Sequence, residues 1–267
     1  MPVRSLGLAL SLCAVLAFGS ASAQRPEIHC KHFFFGYPYG TPEANDLVIR
    51  DPYALSNNDE TKFADWVAYR LDPWTVAARS DACREWHSDP WLDPDETLED
   101  DDYDHAHSEL GTDRGHQAPL ASFRGDPDWW QTNYLSNITP QSSGMNQGPW
   151  MRLEEAVRDI VREWRVVWVM TGPLYEQEMD PLPEADEDHT IPSGYWKIVA
   201  IGEIGDPTSV RATAFVMDQD TPRQANYQDY IVSIDEIEQR TGLDFFWALP
   251  AYMETQVESA VGVWPPQ

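Results

Sequence analysis

Residues 113–116 read Asp113-Arg114-Gly115-His116, and Asn146 and Glu154 follow within the next forty residues. An imidazole takes up a proton near neutral pH, and an arginine offers a planar guanidinium that suits phosphate oxygens. Asn146 and Glu154 add oxygen ligands of the kind that a hard metal ion prefers. Together these residue types predict metal-assisted hydrolysis of a phosphodiester, with His116 as the general base.

The segment from Trp150 to Trp164 has the clearest helical pattern in the chain. Glu154 and Arg158 form an i,i+4 pair on one face, and Pro149 suits the first helical position. Asn146 is therefore expected near a helix N-terminus, where free N–H groups and the helix dipole favour an anion such as phosphate. The apolar residues fall on another face at spacings of three, four and seven: Trp150, Leu153, Val157, Ile160, Val161 and Trp164.

The remaining pattern indicates an α+β fold. A capping box at Ser233 predicts a short helix that Gly242 ends. Nine acidic residues between Asp93 and Glu109 predict a solvated loop, with a cation site as the alternative. Runs rich in aromatic and β-branched residues predict strands at Lys62–Tyr69, Val166–Thr171, Tyr195–Ile201 and Val210–Met217.

The first 23 residues have the order of a secretory signal peptide. Arg4 precedes an apolar stretch, and Ala21-Ser22-Ala23 provides small residues for cleavage after Ala23. No later apolar run approaches the length of a membrane span, which is roughly 18 residues. We therefore expect a secreted protein, extracellular or periplasmic, in which residues 24–267 form a single domain.

Two cysteines remain after that cleavage, Cys30 and Cys83. Thiolate zinc sites usually contain closely spaced cysteine pairs, which this chain lacks. An exported chain with two cysteines predicts one disulfide between them, and two buried free thiols are the alternative.

The charge of the chain argues against a nucleic-acid partner. There are 45 acidic residues against 18 basic ones, and the formal net charge is −27. Proteins that bind nucleic acid usually carry a basic patch. An acidic secreted protein that binds nucleic acids or glycans through its 12 tryptophans, without activity, is therefore the alternative function. Arginines outnumber lysines fifteen to three, which indicates positive charge placed for phosphate rather than spread over the surface.

Three longer runs resemble a known family. They are DRGHQAPLASF at 113–123, NYLSNITPQ at 133–141 and NQGPWMRLE at 146–154. These runs are similar to the DNA/RNA non-specific endonucleases of the ββα-metal fold. Further similarity extends the resemblance over roughly residues 57–250, in TKFADWVAY at 61–69, TGPLYE at 171–176, IPSGYWK at 191–197 and DEIEQRTGL at 235–243.

The resemblance implies a central antiparallel β-sheet flanked by helices, with the histidine on a β-hairpin and the asparagine leading into the next helix. In this family pattern His116 activates water, and Asn146 is the one direct protein ligand of Mg²⁺. Glu154 holds the ion's waters, and Asn137 supports the same network. Arg84 stabilises the charged transition state.

Three further residues receive roles from the same resemblance. Arg114 and Arg158 are expected to contact phosphate or steady the site, with Asp113 as a local partner. Arg158 has a second interpretation, as only the salt-bridge partner of Glu154. A zinc site built from His105, His107 and a carboxylate is an alternative that leaves the other similarities unexplained.

The resemblance implies an endonuclease that cleaves DNA and RNA, single- or double-stranded, to oligonucleotides with 5′-phosphates. The implied cofactor is Mg²⁺, with Mn²⁺ as a substitute. No membrane is expected as a partner, and either a monomer or a homodimer fits the sequence. The acidic charge adds the expectation that the enzyme is salt-tolerant.

Overall fold

The computed structural model describes residues 25–78 and 83–267. Seven strands form one antiparallel sheet in the order β1-β2-β3-β6-β7-β8-β9. Their bounds are β1 Asp46–Ile49, β2 Ala54–Asn58, β3 Phe63–Leu71, β6 Val167–Leu174, β7 Gly194–Glu203, β8 Asp206–Asp218 and β9 Ile231–Val232. The four strands predicted from aromatic and β-branched runs are β3, β6, β7 and β8, and they are confirmed.

The sheet separates two apolar cores, because successive side chains of a strand point to opposite faces. In β6, Val167 and Val169 belong to one core, while Trp168 and Met170 belong to the other. Phe34 from the N-terminal segment stacks on Trp168, with ring centroids 4.1 Å apart. Both faces of the sheet are therefore covered, which explains why its inner strands are buried almost throughout.

The helices lie on either side of this sheet. Their bounds are α1 Ala106–Leu110, α2 Ser143–Met145, α3 Met151–Trp164, α4 Ile234–Thr241 and α5 Ala251–Ser259. Helix α3 packs on the first core through Leu153 and Val157, as its apolar spacing predicts. Helix α4 packs on the second core, with Ser233 accepting a bond from the Glu236 N–H and Gly242 ending it at φ +75°. Central sheet and flanking helices confirm the predicted fold class.

A separate hairpin projects the site residues. Strand β4, Thr112–His116, pairs antiparallel with β5, Ile138–Ser142. Helix α2 follows β5 directly, and one wide turn, Asn146–Trp150, leads from it into α3. Gly148 leaves the helical conformation in that turn, where a Cβ would lie 2.6 Å from the carbonyl oxygen of Arg223. Hairpin and helix form the predicted ββα unit.

The structure corrects part of the expectation of a solvated loop between Asp93 and Glu109: seven of its nine acidic residues are exposed, as expected, but the backbone is partly helical. Short 3₁₀ turns at Pro94–Glu96 and Asp101–Tyr103 precede α1. Asp102 is buried and accepts a bond from the Glu99 N–H at 2.6 Å. The segment folds because these local hydrogen bonds satisfy its backbone and Tyr103 enters a small apolar cluster.

The predicted disulfide is not formed, because Cys30 and Cys83 are both free thiols. The two residues lie against different parts of the fold. Cys30 lines a cavity beside Arg25 and Trp247, whereas the Cys83 carbonyl accepts a bond from Asn133. A disulfide requires paired Cβ atoms about 3.5–4.5 Å apart, a geometry that sequence spacing alone does not reveal.

The predicted signal peptide, residues 1–23, lies outside the described residues. Among the described residues, no helix is long and apolar enough to cross a membrane.

Candidate active site

His116 ends strand β4, and its ring lies beside Trp86, which lines a cleft. The residue before it is Gly115. A side chain would not fit at this position, because its Cβ would lie 2.2 Å from Oε1 of the buried Gln141 on β5. The imidazole is 9% exposed, and its ring centroid lies 5.4 Å from that of Trp86. The hairpin thus holds the histidine at the boundary between the core and solvent.

Asn133 fixes the orientation of that imidazole. Its Nδ2 donates to the Cys83 carbonyl oxygen at 2.9 Å, which turns its Oδ1 toward His116 Nε2 at 3.1 Å. An amide oxygen only accepts, so Nε2 carries the proton and Nδ1 carries the free lone pair. The bond thus selects the tautomer in which Nδ1 is the base.

The imidazole is neutral at neutral pH. Burial lowers the pKa of His116 to about 4, since a buried cation loses its hydration. The hydrogen bond that His116 donates to Asn133 opposes this decrease in pKa, and the nearby charge of Arg84 adds to the decrease. His116 is therefore held in the form that accepts a proton.

Asp113 organises the residues at the start of the helix. Its Oδ2 accepts bonds from Asn146 Nδ2 and Gln147 Nε2, both at 2.9 Å. Its Oδ1 accepts a bond from Ser143 Oγ at 2.7 Å and lies 3.0 Å from His107 Nδ1. Burial raises the pKa of Asp113, but these four hydrogen bonds outweigh it and lower the pKa overall. With its Nδ2 bound in this way, Asn146 presents its Oδ1 to another partner.

Glu154 is on the first turn of α3, and a buried lysine stands behind it. Lys197 on β7 is fully buried, with its Nζ 3.4 Å from the Tyr69 hydroxyl and 4.6 Å from the centre of the Trp150 ring. Burial raises the pKa of Glu154, and the positive charges of Lys197 and Arg158 oppose that rise. The lysine therefore favours the ionised carboxylate, which is the form that binds the waters of a metal ion.

Arg84 and Arg114 line the same cleft. Its volume is about 320 Å³, and Trp86, His107 and Asn146 also line it. The Arg114 guanidinium is held by Asp100, at 2.8 Å from Oδ1, and it lies over the rings of Tyr103 and Trp86. The acidic segment therefore positions Arg114, which is expected to contact phosphate or steady the site.

Two other predicted residues lie deeper. Arg158 donates to Ser122 Oγ at 3.4 Å, and its charge acts on Glu154. Asn137 is fully buried: its Oδ1 accepts from the Ala118 N–H, and its Nδ2 donates to the Ala118 and Thr132 carbonyls. The amide of Asn137 thus holds the backbone that follows His116, and its expected support of the water network stays a prediction.

The structure separates the histidines of the alternative zinc site. His105 Nδ1 lies 3.1 Å from Glu184, whereas His107 bonds Asp113. Within residues 25–78 and 83–267, the groups of side chains close enough to hold a metal contain carboxylates and no histidine. The zinc alternative has no support in this geometry.

Asn146 and Glu154 both offer oxygen donors to a metal. Asn146 lines the cleft and Glu154 lies on the first turn of α3, whereas His107, which also lines the cleft, is hydrogen-bonded to Asp113. This chemistry fits Mg²⁺, which prefers oxygen and keeps most of its waters.

Sequence reasoning did not predict the roles of Asn133, which orients His116, and of Lys197, which acts on Glu154. Each role depends on a tertiary contact that only the structure shows.

Hairpin, helix and cleft define a nuclease of the ββα-metal class. The model of the DNA/RNA non-specific endonuclease family matches residues 33–251, and the chain belongs to that family. The predicted resemblance is thereby confirmed.

Individual relatives agree with this assignment. The chain is 44% identical over 258 residues to a protein named Nuclease from Serratia marcescens, covering 96% of this chain and 95% of that one. It is 30% identical to human mitochondrial Endonuclease G, over 78% of this chain and 71% of the other. A crystal structure of an EndoG/EndoGI complex superposes with a TM-score of 0.69 at 23% identity, covering 82% of this chain and 91% of that one.

Proposed function

We propose that this protein is a Mg²⁺-dependent endonuclease that hydrolyses the phosphodiester bonds of DNA and RNA to 5′-phosphorylated oligonucleotides. The observation that carries the proposal is the neutral imidazole of His116, oriented by Asn133 and lying beside Trp86, which lines a cleft together with Asn146 and two arginines. A base, an oxygen ligand and positive charge for the transition state are the parts that this hydrolysis needs.

Each residue of the candidate site has its own role in the proposed hydrolysis. His116 Nδ1 takes the proton of the attacking water. Asn146 Oδ1 and the carboxylate of Glu154 would hold Mg²⁺ and its waters, and the ion would supply charge to the scissile phosphate and to the leaving oxygen. Arg84 and Arg114 bind phosphate oxygens as negative charge grows in the transition state. The charges of Lys197 and Arg158 oppose the rise in pKa that burial imposes on Glu154.

Purified protein incubated with plasmid DNA and with ribosomal RNA tests the proposal directly. We expect both substrates to be degraded with Mg²⁺ or Mn²⁺, because the donor atoms are all oxygen. A chelator should stop the reaction. Absence of cleavage under every metal condition, with nucleic-acid binding retained, would favour the acidic binding protein instead.

We also propose that the protein is exported after removal of residues 1–23. The charged, apolar and small-residue order of that segment supports export. The N-terminal sequence of protein recovered outside the cytoplasm should begin at Gln24. An intact Met1 in that material would contradict the proposal.

Cleavage activity is expected to be highest at elevated salt. A net charge of −27 repels a polyanionic substrate, and this repulsion weakens as the Debye length falls from about 10 Å at 0.1 M salt to about 3 Å at 1 M. Salt also weakens the contacts between arginine and phosphate. With few basic residues in the chain, relief of repulsion should dominate over the first several tenths molar.

The measurement is the rate of DNA cleavage from zero to 1 M NaCl at fixed Mg²⁺. A steady fall in rate from the lowest salt concentration would show that a local basic groove governs binding. In that case the acidic surface would serve only solubility.

A further inference from the structure

A second group of carboxylates lies where α4 meets α5. Asp235 and Glu238 are one turn apart on α4, and Glu258 is near the end of α5. One oxygen from each lies within 4.8 Å of the other two. Glu258 is only 6% exposed, so this group includes a carboxylate that the fold has withdrawn from water.

Glu258 has an unsatisfied oxygen. Its Oε1 is enclosed and has no hydrogen-bond partner among the described residues. The buried carboxylates of two other acidic groups differ, since Asp102 accepts from the Glu99 N–H and Asp126 from the Asp128 N–H. A buried carboxylate oxygen without a hydrogen-bond partner lowers the stability of the fold, so binding of a cation or a proton donor at this position would be favourable.

Positive charge from the protein does not meet this need. Among the ion pairs of the described residues, none involves Asp235, Glu238 or Glu258. Arg25, whose charge acts on the nearby Glu254, pairs with Asp244. The electrostatic repulsion within the group is therefore left unbalanced by side chains.

We propose that Asp235, Glu238 and Glu258 form a binding site for a divalent cation, with Ca²⁺ as the preferred ion, which joins α4 to α5. Three carboxylates from two helices supply only oxygen, which selects a hard cation. Ca²⁺ accepts irregular and bidentate carboxylate geometry, whereas Mg²⁺ demands an octahedral shell and releases its waters reluctantly. Glu238 keeps one oxygen on the Phe245 N–H at 2.9 Å, which orients its carboxylate.

This cation site is separate from the cleft that Asn146 and Arg114 line. Ile234 and Ile237 of α4 belong to the second core, while Leu153 of α3 belongs to the first, on the other face of the sheet. The cation therefore stabilises the packing of α4 and α5 and takes no part in hydrolysis. A proton is the competing occupant, because burial and four neighbouring carboxylates raise the pKa of Glu258 to about 9.

The test is a calorimetric Ca²⁺ titration and a melting curve on chelator-treated protein, as wild type and as Asn146→Ala. The substitution Asn146→Ala removes the proposed Mg²⁺ ligand, so Ca²⁺ binding by this variant reports on the site between α4 and α5. We expect Asn146→Ala to bind one Ca²⁺ per chain and to melt at a higher temperature with Ca²⁺. Adding Glu258→Gln should raise the Ca²⁺ dissociation constant roughly tenfold or more, since affinity follows the number of charged ligands.

Glu254→Gln is the matched control, because it lies on the same helix and makes the same change in net charge without belonging to the three carboxylates. It should keep the Ca²⁺ response. Asp235→Asn, at an exposed position, provides a second ligand variant if Glu258→Gln does not fold. The proposal is overturned if Ca²⁺ leaves the melting temperature of Asn146→Ala unchanged, as expected for a protonated Glu258. Equal Ca²⁺ affinity with and without Glu258→Gln would also overturn it.

Discussion

Replacing His116 by alanine lowers the rate of DNA cleavage by about 10²- to 10⁴-fold, the usual contribution of a general base. The variant removes the neutral imidazole whose Nε2 is bonded to Asn133 Oδ1. Because His116 lies at the edge of the core, the fold and the affinity for nucleic acid should be retained. The measurement is single-turnover cleavage with saturating protein, together with substrate binding in the presence of a chelator.

His105→Ala is the matched control. His105 is exposed and lies 3.1 Å from Glu184, outside the cleft. Its replacement should leave the rate nearly unchanged, whereas a zinc site built on His105 would lose activity. Near wild-type turnover in His116→Ala would end the assignment of His116 as the base.

Asn146→Ala is expected to lose activity by about 10²-fold or more, because loss of a direct ligand should exceed the 10- to 100-fold effect of outer-shell partners. The Asp113 bond to Nδ2 leaves Oδ1 as the coordinating atom, and alanine removes it. Raising the Mg²⁺ concentration should restore part of the rate. The measurement is the cleavage rate as a function of Mg²⁺ concentration.

Gln147→Ala separates this role from the hydrogen-bond network. Gln147 also donates to Asp113 Oδ2, and it accepts from Arg223 at 3.0 Å, but it is not a predicted ligand. We expect a smaller loss and an unchanged requirement for Mg²⁺. If both variants lost the same activity at every Mg²⁺ concentration, Asn146 would act only by ordering the turn.

Sequence patterns predicted the elements whose signal is local. Helix α3 has a complete apolar stripe, and α4 has a capping serine and a terminal glycine, so both were predicted nearly to the residue. Strands β1 and β2 were not predicted. The sequence of β2 is ALSNN, which has little strand preference, and it is extended because it pairs with β3 on one side and β1 on the other.

The candidate site also contains residues with a local sequence signal and residues without one. His116, Asn146 and Glu154 lie in two short motifs, at 113–123 and 146–154, to which residue chemistry and the family resemblance both point. Asn133 and Lys197 act through partners that are distant along the chain: Cys83 for the first and Tyr69 for the second. No periodicity or spacing encodes such contacts.

Strand β7 carries two neighbouring residues, Trp196 and Lys197, that must face opposite sides of the sheet. Lys197 pairs with Thr171 in register and faces the first core, while Trp196 pairs with Gly172 and fills the second. Gly172 leaves room for that ring, since a Cβ there would lie 2.8 Å from it. A slip of one residue would move the ammonium to the second core, away from the charge of Glu154, and turn the indole toward Glu154. A protein with this register error would be both less stable and inactive. Recovery of activity after refolding therefore reports the correct register of β6 and β7.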